Sequence, residues 1–306
     1  MQDFDFTEVF GEVPAVPGKP AIQVPPMVDD APKKAVLKKG TAPNGVIPGT
    51  KEIELYEWQS SHFYKIAGEY YPSVTTILSV IRQEWLEKWR GNQGNENADM
   101  ILKKTGEDGS SAHWIFHKMV TEGKTAVFSP DIDPKTDIAV PNQFVHLAIW
   151  KLTQFWNEVR PQVIASEVKL FSPTHLFAGT ADLIIRVSGG EYQIAGKTPV
   201  SVPAGIWLAD IKTGKNISAL AGMQMAAYAH AIEETMGLKL EGAMILHTQA
   251  LTKTGIEGFT VKMWDRYELQ DEFEVFLNAQ KIYNYMKPLK PKDYELPKQI
   301  TLPKLS

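Results

Sequence analysis

Five polar side chains follow one another in a telling order in the middle of this chain. Asp182 closes Gly179-Thr180-Ala181-Asp182, Asp210 and Lys212 stand in Asp210-Ile211-Lys212-Thr213, and Gln224 and Tyr228 come next. Two carboxylates can hold a hard divalent cation, and an ammonium beside them can stabilise negative charge developing on a phosphoryl group. Lys212 lies two residues after Asp210, so on a strand both face the same side, and Ile211 between them offers its backbone carbonyl as a further oxygen ligand. Gln224 and Tyr228, four apart, share one face of a helix and could position a phosphate or a water. Asp-x-Lys on its own is usually a surface ion pair; the helix that follows shifts the weight toward a site.

The elements that must position these groups are legible from periodicity. Ile53–Trp58 alternates and His62–Ile66 returns as a hairpin partner. Ser73 can cap a helix whose apolar positions Ile77, Leu78 and Ile81 lead on to Trp85 and Trp89, a pair at core-like spacing. A polar linker is expected over Gly91–Asn97, then a short helix, then a helix opened by Gly109 and running to about Glu122 that puts His113 and His117 on one face. Pro141–Val159 has helical spacing. Val163–Phe171 and Leu176–Val187 predict two strands, with a turn at Gly189-Gly190 into Tyr192–Ala195 and a Gly/Pro-containing insertion over Gly189–Gly205. Ile206–Lys212 predicts a central strand and Asn216–Met236 a helix stopped by Gly237. Strands over Glu241–Ala250 and Ile256–Lys262 and a helix over Asp265–Met286 complete an α/β domain.

Composition narrows the chemistry further. With 306 residues the chain can bury a large core, and it contains no cysteine, which excludes disulfides, thiolate metal sites and cysteine nucleophiles. A formal charge of -4 gives no global basic signature, so a nucleic-acid surface must be local or bridged by cations. Lys65, Arg82, Lys88, Arg90, Lys103 and Lys104 could line such a groove, and Trp58, Tyr64, Trp85, Trp89, Trp114 and Trp156 could stack on unpaired bases. Residues 1–50 hold eight of the twenty prolines together with Lys33, Lys34, Lys38 and Lys39, and read as a disordered tail. The stretch 287–306 resembles it. The N-terminus carries no secretory or transit pattern and no apolar run could span a bilayer, so a soluble cytoplasmic protein is expected, with no membrane partner.

Taken together, Asp182, Asp210 with Lys212, and Gln224 with Tyr228 resemble the PD-(D/E)XK nuclease superfamily, in its RecB-like branch with the Gln-x-x-x-Tyr helix, and within it the chain looks most like phage exonucleases and the mitochondrial genome maintenance exonuclease. The resemblance covers about Tyr56 to Met286. It implies a restriction-endonuclease-like core over 162–286, a central mixed sheet flanked by helices, with an N-terminal helical portion over 73–160 in a nuclease domain of 51–286. It also implies that His113 is a metal ligand beside Asp182, Asp210 and the Ile211 carbonyl. Glu167, Ser73 and Thr75 are implied as auxiliary residues, Ser73 and Thr75 because Tyr71–Leu78 resembles a shared segment. Mg²⁺ or Mn²⁺ is the implied cofactor, and the absence of cysteine leaves no iron–sulfur cluster.

The activity so implied is a DNA exonuclease working on single strands or ends in phage or bacterial recombination, repair or replication, its tails recruiting a recombination or single-strand-binding protein. The alternatives are an endonuclease of the same fold and a non-catalytic DNA-binding or assembly protein that keeps it. A metalloprotease built on His113 and His117 fails because no glutamate lies between them.

Overall fold

The computed structural model describes residues 53–58, 61–129, 132–194, 199–248, 259–286 and 288–291. Both proline- and lysine-rich tails, and the strand residues expected at 249–250 and 256–258, lie outside these residues, apart from Pro288–Pro291.

Three short strands, β1 (Ile53–Trp58), β2 (Ser61–Ile66) and β3 (Glu69–Pro72), form an antiparallel sheet in the order β1-β2-β3. Helices α1 (Val74–Leu78), α2 (Glu84–Gln93) and α3 (Asn95–Glu122) follow, then a small parallel pair, β4 (Thr125–Val127) with β5 (Asp137–Ala139), that periodicity does not reveal. Next come α4 (Gln143–Val159), β6 (Gln162–Ser172), β7 (Phe177–Val187), the short antiparallel pair β8 (Gly190–Tyr192) and β9 (Val200–Val202), and β10 (Gly205–Lys212). The chain continues through α5 (Ala221–Met236), β11 (Gly242–Thr248), β12 (Phe259–Asp265) and α6 (Arg266–Tyr285).

The central sheet is mixed and flanked by helices, with strand order β12-β11-β10-β7-β6. Only β10 and β11 run parallel, because α5 joins them as a crossover; the other neighbours pair antiparallel. One face packs Leu208, Ala243 and Ile245 against α1, α5 and α6. The other packs Trp207, Ala209, Ile211, Met244 and Leu246 against α3 and α4. Every side chain of β11 is buried, as expected of a central strand covered on both faces. No helix among the described residues is long and apolar enough to cross a membrane.

Several boundaries differ from the sequence expectation. Gly91–Asn97 is not a linker: α2 and α3 are broken only at Gly94, whose φ of 77° is the left-handed conformation glycine tolerates. Gly109 opens no helix but lies inside the 28-residue α3, where a Cβ would sit 3.0 Å from Thr213 Oγ1. Ser73 caps α1, accepting from the Thr76 amide, yet that helix ends at Leu78 and does not continue to the tryptophans. Trp85 and Trp89 are not core; α2 buries no residue, and Trp85 is 56% exposed. Helix α5 begins at Ala221, not Asn216.

The clearest helix start is that of α6. Asp265 accepts from the amides of Tyr267 at 2.8 Å and Glu268 at 2.9 Å, while Glu268 Oε2 accepts from the Asp265 amide at 2.9 Å, a reciprocal capping box. Substituting Asp265→Ala removes two of these bonds and should cost about 1 kcal/mol, lowering the melting temperature by roughly 2–4 °C without affecting the distant site. Thermal unfolding followed by far-UV circular dichroism checks it.

Candidate metal centre

The centre lies where β7 and β10 part. Their antiparallel ladder ends at Ala209↔Leu183, whereas β10 stays paired to β11 as far as Lys212↔His247. Beyond the end of the ladder the Ile211 amide donates to Asp182 Oδ2 at 2.8 Å, a side chain taking the place of a strand carbonyl. The structure thus ties the N–H of Ile211 to the Asp182 carboxylate, and on a strand the carbonyl of the same residue points to that same edge.

Leu208 faces the α5 side of the sheet, and by alternation Asp210 and Lys212 follow it there. Lys212 Nζ lies 2.8 Å from Asp210 Oδ2 and donates to Gln224 Oε1 at 3.3 Å. Gln224 Nε2 in turn donates to Tyr228 Oη at 3.3 Å, the two residues one turn apart on α5. The Tyr228 ring rests on Gly179, where a Cβ would come within 2.3 Å of Cε1. Only glycine admits the ring so close to β7.

The opposite wall comes from α3. His113 Nδ1 stands 3.3 Å from Asp182 Oδ2. His113, Glu167 and Asp182 each offer a ligand atom within 4.8 Å of the others. Glu167 sits in β6 between Ser166, which pairs with Leu183, and Val168, which pairs with Ala181, so it falls opposite Asp182; its φ of 52° is left-handed. A non-glycine residue in that conformation inside a strand is a strained position of the kind concentrated at functional sites.

The converging donors fit a hard divalent cation with some imidazole tolerance: carboxylate oxygens of Glu167 and Asp182 with one His113 nitrogen, and Asp210 as a further carboxylate beside Asp182. Asp210 Oδ2 is buried and, beyond its ion pair with Lys212, has no hydrogen-bond partner.

The electrostatics follow from burial and crowding. Burial opposes charge on His113, but Asp182, then Asp210 and Glu167, pull its pKa up to about 9. Burial first, then the charges of Asp182 and Asp210, push Glu167 up to about 7, with His113 partly offsetting them. Burial also lifts Asp182, yet His113, Lys212 and the Ile211 amide outweigh it and hold that carboxyl below its ordinary range. Asp210 moves the other way, raised chiefly by burial and secondarily by Asp182 against the pull of Lys212. Lys212 is raised by Asp210 and Asp182 despite its own burial, and so stays an ammonium. Tyr228, raised well above the ordinary phenol value by burial, stays a neutral phenol.

The structure therefore brings His113, Glu167, Asp182, Asp210, Lys212, Gln224 and Tyr228 together. Ser73 and Thr75 are placed differently. The Ser73 hydroxyl is engaged with Thr75 and Thr76 in the cap of α1, the Ser73 amide donates to the His62 carbonyl at 2.9 Å, and Thr75 is exposed. Tyr64 is a neighbour that the linear order concealed: its phenol bonds Thr180 Oγ1 at 2.9 Å across 116 positions of sequence, and burial pushes its pKa up to about 12. It is thus no stacking surface. Trp156 packs edge-on against Phe116, whereas Trp114, next to His113, is 47% exposed.

No family model and no curated protein matches this chain. Among solved structures it is similar to the crystal structure of a putative exonuclease from Eubacterium rectale, at 13% identity and a TM-score of 0.34, over 67% of this chain and 76% of that one.

Two outcomes follow from the geometry. Gly179→Ala should force Tyr228 off β7 and destabilise the fold by about 1–3 kcal/mol, measurable by urea unfolding. Second, Glu167 and His113 both bind a proton more tightly folded than unfolded. Their contributions are whole below the ordinary values of 4.5 and 6.5 and are lost as pH rises through about 7 and about 9. The melting temperature of the cation-free protein should accordingly fall from pH 5 to pH 9, and saturating Mg²⁺ should flatten the slope by replacing those protons. A rise over that window without cation would contradict the assignment.

Proposed function

We propose that this chain is a Mg²⁺- or Mn²⁺-dependent deoxyribonuclease of the RecB-like PD-(D/E)XK kind, acting as an exonuclease on single-stranded DNA or DNA ends. The observation that carries the reading is the convergence of Asp182, Asp210 and Lys212 at the end of the β7–β10 ladder, with His113 and Glu167 closing the cluster from α3 and β6.

Asp182, Asp210, Glu167 and His113 would hold the cation, which when bound supplies Lewis acidity at a phosphoryl oxygen and lowers the pKa of water. In the reaction, water oxygen forms a bond to phosphorus, the phosphorus–oxygen bond to the leaving sugar breaks, and the water's proton ends on the departing oxygen. Lys212, kept protonated by Asp210 and Asp182, does not abstract that proton; it orients the attacking oxygen and offsets charge growing on the phosphate. Gln224 fixes the ammonium through its 3.3 Å bond, and Tyr228 fixes Gln224. Exposed Trp114, adjacent to His113, and Trp85 are available to stack on unpaired bases, each contact worth about 1–3 kcal/mol.

Release of nucleotides from linear single strands in Mg²⁺ tests the reading. Lys212→Ala should lower the rate by about 10²–10³-fold. Asp210→Asn should lose activity while keeping or gaining thermal stability, since it removes a buried, crowded charge. Activity surviving in both variants sinks the site assignment. Closed circular single strands should resist; their cleavage at the linear rate would make the enzyme an endonuclease. DNA binding without cleavage in any divalent cation would leave only a binding role.

A further inference from the structure

Helix α3 carries two histidines one turn apart, and the proposed chemistry employs only His113. The other, His117, places Nδ1 2.8 Å from Ser166 Oγ on β6, the residue immediately before Glu167. Ser166 is thus turned toward α3.

The side chains around it show that the strand pleat is interrupted here. In β6, Ala165, Val168 and Leu170 all belong to the core on the α5 and α6 side. Regular alternation puts residues 166 and 168 on the same face, yet Ser166 reaches α3 while Val168 packs on the opposite side. The partner strand changes face at the same level. Ala181 packs in the α5-side core, whereas Leu183 and Ile185 pack in the α3 and α4 core, although all three have the same parity. The pairs Ser166↔Leu183 and Val168↔Ala181 bracket the break without a change of register, so it falls on Glu167 and Asp182, and Glu167 carries it with its φ of 52°.

The consequence is directional. In a regular strand Glu167 would point away from the face that Ser166 occupies, and so away from α3. With the pleat broken, consecutive residues meet the same helix: Ser166 bonds His117, and the Glu167 carboxylate joins His113 one turn earlier. A left-handed glutamate does not persist by preference, because its Cβ opposes that conformation; the surrounding structure must hold it, and the Ser166–His117 bond lies immediately beside it.

We propose that His117 is a positioning residue of the cation site: through its hydrogen bond to Ser166 it pins β6 to α3 beside the break and thereby fixes the Glu167 carboxylate next to His113 and Asp182. The proposal rests on reading that cluster as a cation site. A bond that merely attached α3 to the sheet would contribute to stability alone; a positioning bond also sets cation affinity.

The test is titration of the full chain with Mn²⁺, reading free Mn²⁺ by electron paramagnetic resonance, with melting of the cation-free protein recorded alongside. His117→Ala and Ser166→Ala should each weaken Mn²⁺ binding by about 10-fold or more. The double variant should bind no more weakly than either single one, and His117→Asn, which keeps a polar nitrogen near the Nδ1 position, should recover affinity. Ser166→Ala removes one hydroxyl and keeps the test open should His117→Ala fail to fold. Glu167→Gly should melt above Glu167→Ala, because glycine accepts the left-handed backbone, while both lose affinity. Wild-type affinity in Ser166→Ala overturns the positioning role. Undiminished Mn²⁺ binding by Asp182→Ala, or none by the wild-type chain, overturns the cation site itself and the proposal with it.

Discussion

Carboxylates crowded into a space with little water cannot all keep their charge unless cations stand among them, and much of this fold can be understood as the means of supplying those cations. Asp210 is matched by Lys212 from its own strand, and Asp182 by His113 from a helix and by the Ile211 amide. Glu167 is carried up to about 7 by its burial and by the charges of Asp182 and Asp210, which His113 only partly offsets. With protons bound on His113 and Glu167, whose proton affinities are raised to about 9 and about 7, the cluster's charges offset one another.

That balance dictates which elements must be rigid. The ammonium of Lys212 would otherwise sweep a wide arc, and α5 restrains it through a relay of amide and phenol on one helical face. The imidazole of His113 must arrive from outside the sheet, and α3 delivers it by running unbroken for 28 residues, about 42 Å, with Ala112, Ile115 and Phe116 seated in the core around it. The sheet contributes an ending: because β7 leaves β10 after Ala209, an amide is freed to face a side chain.

Strands β6, β7, β10 and β11 and helices α4 and α6 were legible because period-2 and period-3.6 patterns are strong there and because Gly237 and Asp265 mark ends by simple stereochemistry. The relation among Asp210, Lys212, Gln224 and Tyr228 was legible too, since each step is a local one of two or four residues within an element. The continuity of α3 was not. Its glycines and asparagines look like breakers in a linear reading, but Gly109 is kept small by Thr213, more than a hundred residues downstream. Glu167 resembled any solvated strand glutamate; what distinguishes it is a backbone angle and a neighbour on another element, neither of which is written in local sequence. Tyr64 was hidden for the same reason, and Trp85 and Trp89 were misplaced because helical spacing says which residues share a face without saying what that face meets.

Gly179 to Asp182 is the densest stretch of the protein in this respect. Gly179 makes room for the Tyr228 ring, Thr180 holds the Tyr64 phenol, Ala181 is sealed in the core, and Asp182 turns to His113 and Ile211. Four successive residues thus answer to four separate parts of the chain. A bulkier residue at position 179 is admissible only with a smaller one at 228, and loss of the hydroxyl at 180 is harmless only if the phenol at 64 departs as well. Homologous chains that drift at these positions should therefore do so in matched pairs, leaving a covariation signal between segments that show no likeness when each is compared alone.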